Sequence, residues 1–387
     1  MELYIHIPFC ARKCLYCDFL SGPASLEVQE KYLKALRQEI RWRGESVREE
    51  KGEETVSSVY IGGGTPTVID PEGICRVMET VKESFCLNAD AEISIEANPG
   101  TLTAEKLKLY RQAGVNRLSI GLQSADDEEL ARLGRIHTWA DFIASYRLAR
   151  EAGFDNINID LMSSLPGQTT ASYEGTLRRV TELLPEHISA YSLIVEEGTP
   201  FYNKYSGHPE LLPDEEEDRR MYAMTEEILG AAGYHRYEIS NYAKPGRECR
   251  HNVGYWRRVP YLGLGLGASS FYGDKRFANT ADMSRYRDVT LVGGADGTEN
   301  LQKLQGTAEV VGRQDAMEEF MFLGLRLTAG IRAEDFAACF GQDLEEVYGD
   351  TLARLTGEGL LRRTEAGYRL SHRGIDISNR VLAEFLL

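Results

Sequence analysis

Short apolar runs alternate with longer amphipathic stretches through the first half of the chain. The runs at 3–7, 59–61, 93–96, 117–121, 156–161 and 188–193 are rich in Ile, Leu and Val and are short enough for strands. Between them, apolar positions recur at helical spacing over 26–41, 71–85, 104–112, 142–152 and 172–184. Strands apolar on both faces that alternate with helices predict a parallel sheet covered by those helices. Six such units suit a partial (β/α)6 barrel better than a short open sheet. Right-handed crossovers would then gather the strand C-termini on one face.

The pattern breaks near 205–217, where Gly, Pro and an acidic run at 214–218 intervene. A helix at 219–232 follows, then an aromatic-rich segment to 277 and a Gly-rich loop at 292–297. Helical spacing returns at 317–325, 332–340 and 344–358, and 360–364 with 367–370 can pair as a hairpin. These shifts divide the chain into a barrel unit (1–205), a connecting region (206–310) and a small winged-helix-like, mostly helical domain (311–387).

The 387 residues are 42% hydrophobic, enough for a sizeable core. Lys and Arg number 44 against 60 Asp and Glu, a formal net charge of −16, which argues against a general nucleic-acid binder. The tail carries Glu334–Asp335 and Glu345–Glu346 on its helices and reads as a lid or partner-docking surface, not a DNA reader. No apolar run approaches a membrane span, and the opening MELYIHIPFC lacks the features of a signal peptide, so the chain reads as cytoplasmic.

Disulfides are not the expected use of cysteine in such a chain. Cys10, Cys14 and Cys17 crowd together, whereas Cys75, Cys86, Cys249 and Cys339 are scattered and read as ordinary buried thiols. Cys-x3-Cys-x2-Cys lets one loop wrap three corners of a 4Fe–4S cube and leaves the fourth iron without a local ligand. Zinc held by three thiolates and a distant fourth ligand is the competing assignment, although zinc sites usually pair two Cys-x2-Cys knuckles. A redox Cys14–Cys17 pair would leave Cys10 idle. Other unusual residues also sit at predicted strand ends: Gly62–Gly63–Gly64–Thr65–Pro66, Glu96–Ala97–Asn98–Pro99 and Gly121–Leu122–Gln123–Ser124, while the fifth strand carries Asp160 and leads to Leu165–Pro166–Gly167–Gln168. Polar residues converging at the strand ends of a barrel read as a site.

HIPFCARKCLYCDF resembles the motif of radical SAM proteins. In that family three cysteines bind a 4Fe–4S cluster whose open iron is chelated by S-adenosylmethionine (SAM), and an electron from the cluster cleaves the sulfonium. YIGGGTPT, IEANP, RLSIGLQS, LGRIH, NIDLMSSLPGQT and YEISNYA extend the likeness to the coproporphyrinogen oxidase branch over nearly the whole chain. The resemblance implies SAM contacts at Tyr4, Tyr16, Gly63, Gly64, Thr65, Glu96, Gln123, Arg135 and Asp160. Glu96 and Asp160 have a structural alternative, an ion pair at a strand end.

The oxidases of that branch carry a fourth cysteine two positions past the third; here Asp18 and Phe19 follow Cys17. That departure resembles the haem chaperones of the family. So does His251-Asn252-Val253-Gly254-Tyr255-Trp256, whose His251 and Tyr255 the resemblance associates with haem. The following Gly-rich stretch has Ser269 where a His is frequent, and Ser164 replaces a usual Gly, a change expected to matter little. The implied partners are haem, a haem-accepting protein such as a membrane respiratory protein, and an electron donor for the cluster. Oxidative decarboxylation of coproporphyrinogen III is the alternative activity.

Overall fold

The computed structural model describes every residue except position 295. Six strands form in chain order: β1 (Glu2–Ile7), β2 (Thr55–Gly63), β3 (Cys86–Ala97), β4 (Arg117–Gln123), β5 (Ile157–Ser163) and β6 (His187–Ser192). Each is hydrogen-bonded in parallel to the next. All seven residues of β4 are buried, which explains why its sequence lacks polar alternation. The crossovers are helices Leu26–Lys51, Pro71–Ser84, Ala104–Ala113, Trp139–Glu151 and Thr170–Thr181. Ser25 and Thr103 cap two of them, and Thr138 and Thr169 form capping boxes. The first helix outruns its predicted end at 41, because Trp42, Arg43, Gly44 and Val47 continue its buried face until Gly52 turns at φ 75°.

The connecting region extends the sheet at both edges, through strands too short to show a period. β7 (His235–Arg236) and β8 (Asn241–Ala243) pair with each other, and β8 runs antiparallel to β6. On the opposite flank β9 (Tyr261–Leu264) lies parallel to β1, followed by β10 (Ser269–Tyr272), β11 (Lys275–Ala278) and β12 (Glu309–Val310). The result is a 12-stranded sheet ordered β12-β11-β10-β9-β1-β2-β3-β4-β5-β6-β8-β7. One apolar core joins Leu3, Ile61 and Ile120 to Leu264, Tyr286 and Leu304.

The acidic run at 214–218 does not break structure, as the sequence reading held. Asp214 caps helix Glu215–Ala231, and its first turn is acidic, where the helix dipole favours negative charge. The predicted loop at 292–297 is mostly the junction of helices Met283–Val292 and Gly297–Leu304, with position 295 outside the described residues. Helices Arg313–Gly324, Ala333–Phe340 and Leu344–Gly357 pack around Phe336, Tyr348 and Phe385 as a second core. The predicted hairpin forms as β14 (Leu361–Arg363) and β15 (Gly367–Leu370), joined by β13 (Ile331–Arg332). No helix among the described residues is long and apolar enough to cross a membrane.

Candidate cluster and cofactor site

The loop after β1 is closed by two backbone bonds, Cys10 N–H to the Gly22 carbonyl (3.0 Å) and Gly22 N–H to the Pro8 carbonyl (3.2 Å). It is also pinned across the barrel mouth. Leu15 N–H donates to the Leu133 carbonyl (3.1 Å), and Arg12 Nη2 donates to the Gly134 carbonyl (2.9 Å). Gly134 has φ 74°, and a Cβ there would lie 2.8 Å from the Leu15 side chain. Cys10, Cys14 and Cys17 are all unpaired thiols, partly exposed, facing one cavity of about 440 Å³.

Gly62 and Gly63 end β2, and Gly64 follows, bonded to the start of that loop. Gly64 N–H donates to the Ile7 carbonyl (2.9 Å) and Thr65 N–H to the Phe9 carbonyl (2.7 Å). A Cβ on Gly64 would sit 2.5 Å from the Phe9 carbonyl oxygen and 2.9 Å from Cys10 Sγ. Gly63, at φ 114°, would drive a Cβ to within 2.6 Å of the His6 ring. Glycine is thus required here by close approach as well as by conformation. Thr65 Oγ1 lies 3.7 Å from Cys10 Sγ and accepts from Asn98 Nδ2 (2.7 Å).

The carboxylates come from the end of β3 and the middle of β5. Glu96 accepts from Gly63 N–H (3.0 Å) and Tyr60 Oη (3.1 Å); burial, with the Asp160 charge second, pushes its carboxyl up to about 7. Asp160 accepts from Asn158 Nδ2 (2.7 Å) and Ser119 Oγ (3.3 Å), and burial raises it too. Both therefore accept from neutral donors instead of forming the strand-end ion pairs that the sequence left open. Gln123 holds φ 74°, a strained setting for a side-chain residue, at an irregularity in the β4–β5 register. Its Oε1 accepts from Tyr191 Oη (3.3 Å).

Arg135 crosses the cavity floor. Nη1 lies 3.5 Å from Cys14 Sγ, and Nη2 donates to Asn98 Oδ1 (2.8 Å) and to the Gly121 carbonyl. Its Nε is buried without a protein partner. Burial pushes the Cys17 thiol up. Tyr16 lies against the Leu133, Met162 and Phe201 cluster, 6.2 Å from the Phe201 ring. Its hydroxyl is raised by burial.

Eleven of the expected residues therefore meet at one place; Tyr4, His251 and Tyr255 do not line the cavity. Tyr4 lies one layer deeper, 3.1 Å from His6 Nδ1 and stacked on Tyr60 at 6.4 Å. His251, on helix Arg250–Trp256, is 1% exposed inside the barrel wall. Its Nδ1 is 2.8 Å from Ser58 Oγ, its Nε2 is 3.0 Å from Tyr255 Oη, and its ring stacks on Tyr60 at 5.2 Å. Burial holds this imidazole down to about 3, so it is neutral. Tyr60, Ser119 and Tyr191 belong to the site and were not singled out from sequence, and Asn98, quoted in a strand-end run, was given no role of its own. Asn98 had a signal, since it follows Glu96 at a strand end; Tyr60 reads as an ordinary strand residue. The scattered cysteines differ from expectation: only Cys249 is buried, whereas Cys86 and Cys339 are exposed. Cys86 opens β3 and Cys339 sits on a short outer helix.

The donor chemistry fits a cluster bearing an amino-acid ligand. Among the described residues no group of three or more His, Cys, Asp or Glu converges tightly enough to hold a single metal ion. Zinc would draw its thiolates to within about 2.3 Å of one point, whereas a cube takes each thiolate at a separate corner. Arg135 Nε is buried without a protein partner, and the two raised carboxyls and the Gly-rich turn line the same cavity. Fold and donor set together define a radical SAM protein.

Comparison with known proteins agrees. The radical SAM superfamily model matches residues 4–180 and the HemN C-terminal domain model matches 311–377. "Heme chaperone HemW" of Bacillus subtilis is 38% identical over 99% of this chain and 98% of that protein. HemW of Escherichia coli is 36% identical, over 100% and 98%. The mouse "Radical S-adenosyl methionine domain-containing protein 1, mitochondrial" is 32% identical, over 99% and 87%. The solved coproporphyrinogen III oxidase HemN of E. coli superposes with a TM-score of 0.82 at 26% identity, covering 100% of this chain and 89% of that one. The chain belongs to the HemW family of heme chaperones within the radical SAM superfamily. Membership in the superfamily implies a 4Fe–4S cluster and SAM as its cofactors.

Proposed function

We propose that this chain is a haem chaperone that holds a 4Fe–4S cluster on Cys10, Cys14 and Cys17, binds SAM beside it, carries haem and delivers it to an acceptor protein. A membrane respiratory protein is the expected class of acceptor, with a separate electron donor for the cluster. The observation that carries the reading is a complete cofactor cavity combined with Asp18–Phe19 directly after Cys17, where the oxidases have a further cysteine.

When bound, the cluster and SAM supply one-electron chemistry at a sulfonium. The chain's own part is to place them. The three thiolates take three corners, with Arg135 opposing their charge from 3.5 Å. The turn at Gly63 and Gly64 offers bare backbone, and Glu96 and Asp160 accept from amine or hydroxyl donors. Gln123 adds an amide, and Tyr16 with Met162 walls off water. His251 and Tyr255 remain candidates for haem, though in this conformation each occupies the other. Ligation by His251 would require helix Arg250–Trp256 to release it.

Anaerobically reconstituted protein should take up haem with a Soret band and pass it to an apo acceptor. Uptake no greater than by an unrelated globular protein would end this reading. The second reading is coproporphyrinogen III decarboxylation, favoured by the likeness to the E. coli oxidase along the whole chain. It is tested by incubating the reduced protein with SAM and coproporphyrinogen III and assaying protoporphyrinogen.

A further inference from the structure

The seven histidines divide sharply by environment. His6, His137, His187 and His251 are buried and bonded within the barrel, and His208 stands on the surface beside Glu210. The remaining two, His235 and His372, both line one cavity of about 500 Å³. That cavity lies between the β7 edge of the large sheet and the β14–β15 hairpin of the C-terminal domain. The two units meet there through Thr328, whose N–H donates to the Tyr237 carbonyl (3.0 Å) and whose Oγ1 donates to the Arg236 carbonyl (2.9 Å).

His235 is set up by a carboxylate, whereas His372 only neighbours one, Glu226, which pairs with Arg236 at 3.0 Å. His235 Nε2 lies 2.8 Å from Glu248 and His372 Nδ1 lies 3.6 Å from Glu226, while the rings stay 44% and 72% exposed. A carboxylate on one ring nitrogen fixes the tautomer and strengthens the other nitrogen as a metal ligand. The walls carry charge of one sign: Arg236, Arg362 and Arg369 against the single carboxylate of Glu226, in a chain whose net charge is −16. Two buried polar atoms lining the cavity make no hydrogen bond, although the rest of the Arg236 guanidinium is held by Tyr222 (2.8 Å) and Glu226 (3.0 Å). Tyr242, 1% exposed, has an unsatisfied hydroxyl, and the Arg236 side chain, 5% exposed, has an unsatisfied Nε. Buried polar atoms without partners point to a ligand that supplies them.

We infer that this interdomain cleft is a haem seat, with imidazole offered to iron from His235 and His372 and the two propionates taken by Arg362 and Arg369. The inference rests on the chaperone reading and adds where the cargo sits. Arginine's planar fork suits carboxylates, and histidine is a common axial ligand of haem iron. The cavity size lies within the range of sites for cofactors. A phosphate-bearing ligand would use the arginines and leave both histidines without a part. A seat between two units also lets a small separation of the domains admit or release the cargo.

The test is haem titration of the full-length, cluster-loaded chain, followed by the Soret band, with metal-free protoporphyrin IX by fluorescence quenching as a second probe. All four substituted residues are exposed, so the fold should survive, and urea midpoints check this. H235A/H372A should abolish the histidine-ligated Soret signature and leave protoporphyrin binding unchanged. R362A/R369A should weaken both probes by about tenfold or more, the loss expected for charge-assisted hydrogen bonds. If both double variants bind haem as the parent does, or if H251A alone removes the Soret signature, the cleft is not the seat although the chaperone reading stands. If inorganic phosphate binds the cleft yet does not compete with haem, the seat is likewise overturned. If the parent chain takes up no haem, the chaperone reading itself has failed.

Discussion

The cluster cavity and the interdomain cleft solve the same problem, presenting polar groups to a ligand, by opposite means. The cavity draws its groups from successive parallel strands and the loops after them within one core, and most are tied to a neighbouring segment: Glu96 to Gly63, Arg135 to Asn98, Gln123 to Tyr191. The cleft draws its groups from two cores, mostly as exposed side chains whose only partners are ion pairs. The first is preorganised, which suits chemistry that tolerates little misplacement. The second can change width when one unit moves, which suits cargo that must leave.

The comparison breaks most decisively at the cluster. Cys14→Ala should lose the cluster outright, with iron and inorganic sulfide at background after anaerobic reconstitution, while haem uptake persists. Loss of both together would mean that the two regions are not separate. Next comes the barrel wall. His251→Ala removes a buried ring with two hydrogen bonds and should cost about 2–4 kcal/mol in urea unfolding, whereas His372→Ala should stay within about 0.5 kcal/mol. Equal costs would erase the contrast between fixed and free histidines.

A smaller effect is written in pH. The Glu96 carboxyl, held up to about 7 in the apo protein, keeps its proton where the unfolded chain has lost it. The folded state then binds more protons, so stability falls as pH rises from the ordinary carboxylate range through about 7. Glu96→Gln should flatten that slope in thermal melts across the window; an unchanged slope would show that Glu96 does not titrate there. The smallest effect lies at Leu184, 61% exposed with φ 55°, at a turn outside both regions. Leu184→Gly should stabilise the chain by about 0.5 kcal/mol by relieving the left-handed backbone.

The six barrel strands and their crossover helices were legible because each carries an apolar run or period long enough to read. The cluster loop and Gly-rich turn were legible because their chemistry is local: three thiols within one loop, three glycines at one strand end. The edge strands β7 to β12 were not, since segments of two to four residues show no alternation and are fixed by pairing with distant strands. Tyr60 was missed because its role comes from reaching Glu96 on the neighbouring strand. Ser164, expected to matter little in place of Gly, holds φ 59° and donates to Asp218, so it takes a glycine conformation and gains a bond. The cleft was invisible because its two histidines lie in different units, and only the docking of those units makes them neighbours.

The strand bearing the cysteine loop is flanked by β2 on one side and β9 on the other. Its first partner is synthesised early, its second only after residue 260, when two-thirds of the polypeptide already exists. Until then β1 has an open, apolar edge, the kind that recruits strands from other chains. A nascent or truncated product ending at 205 is therefore expected to aggregate instead of loading iron, so maturation of the metal centre must wait on translation of the second half.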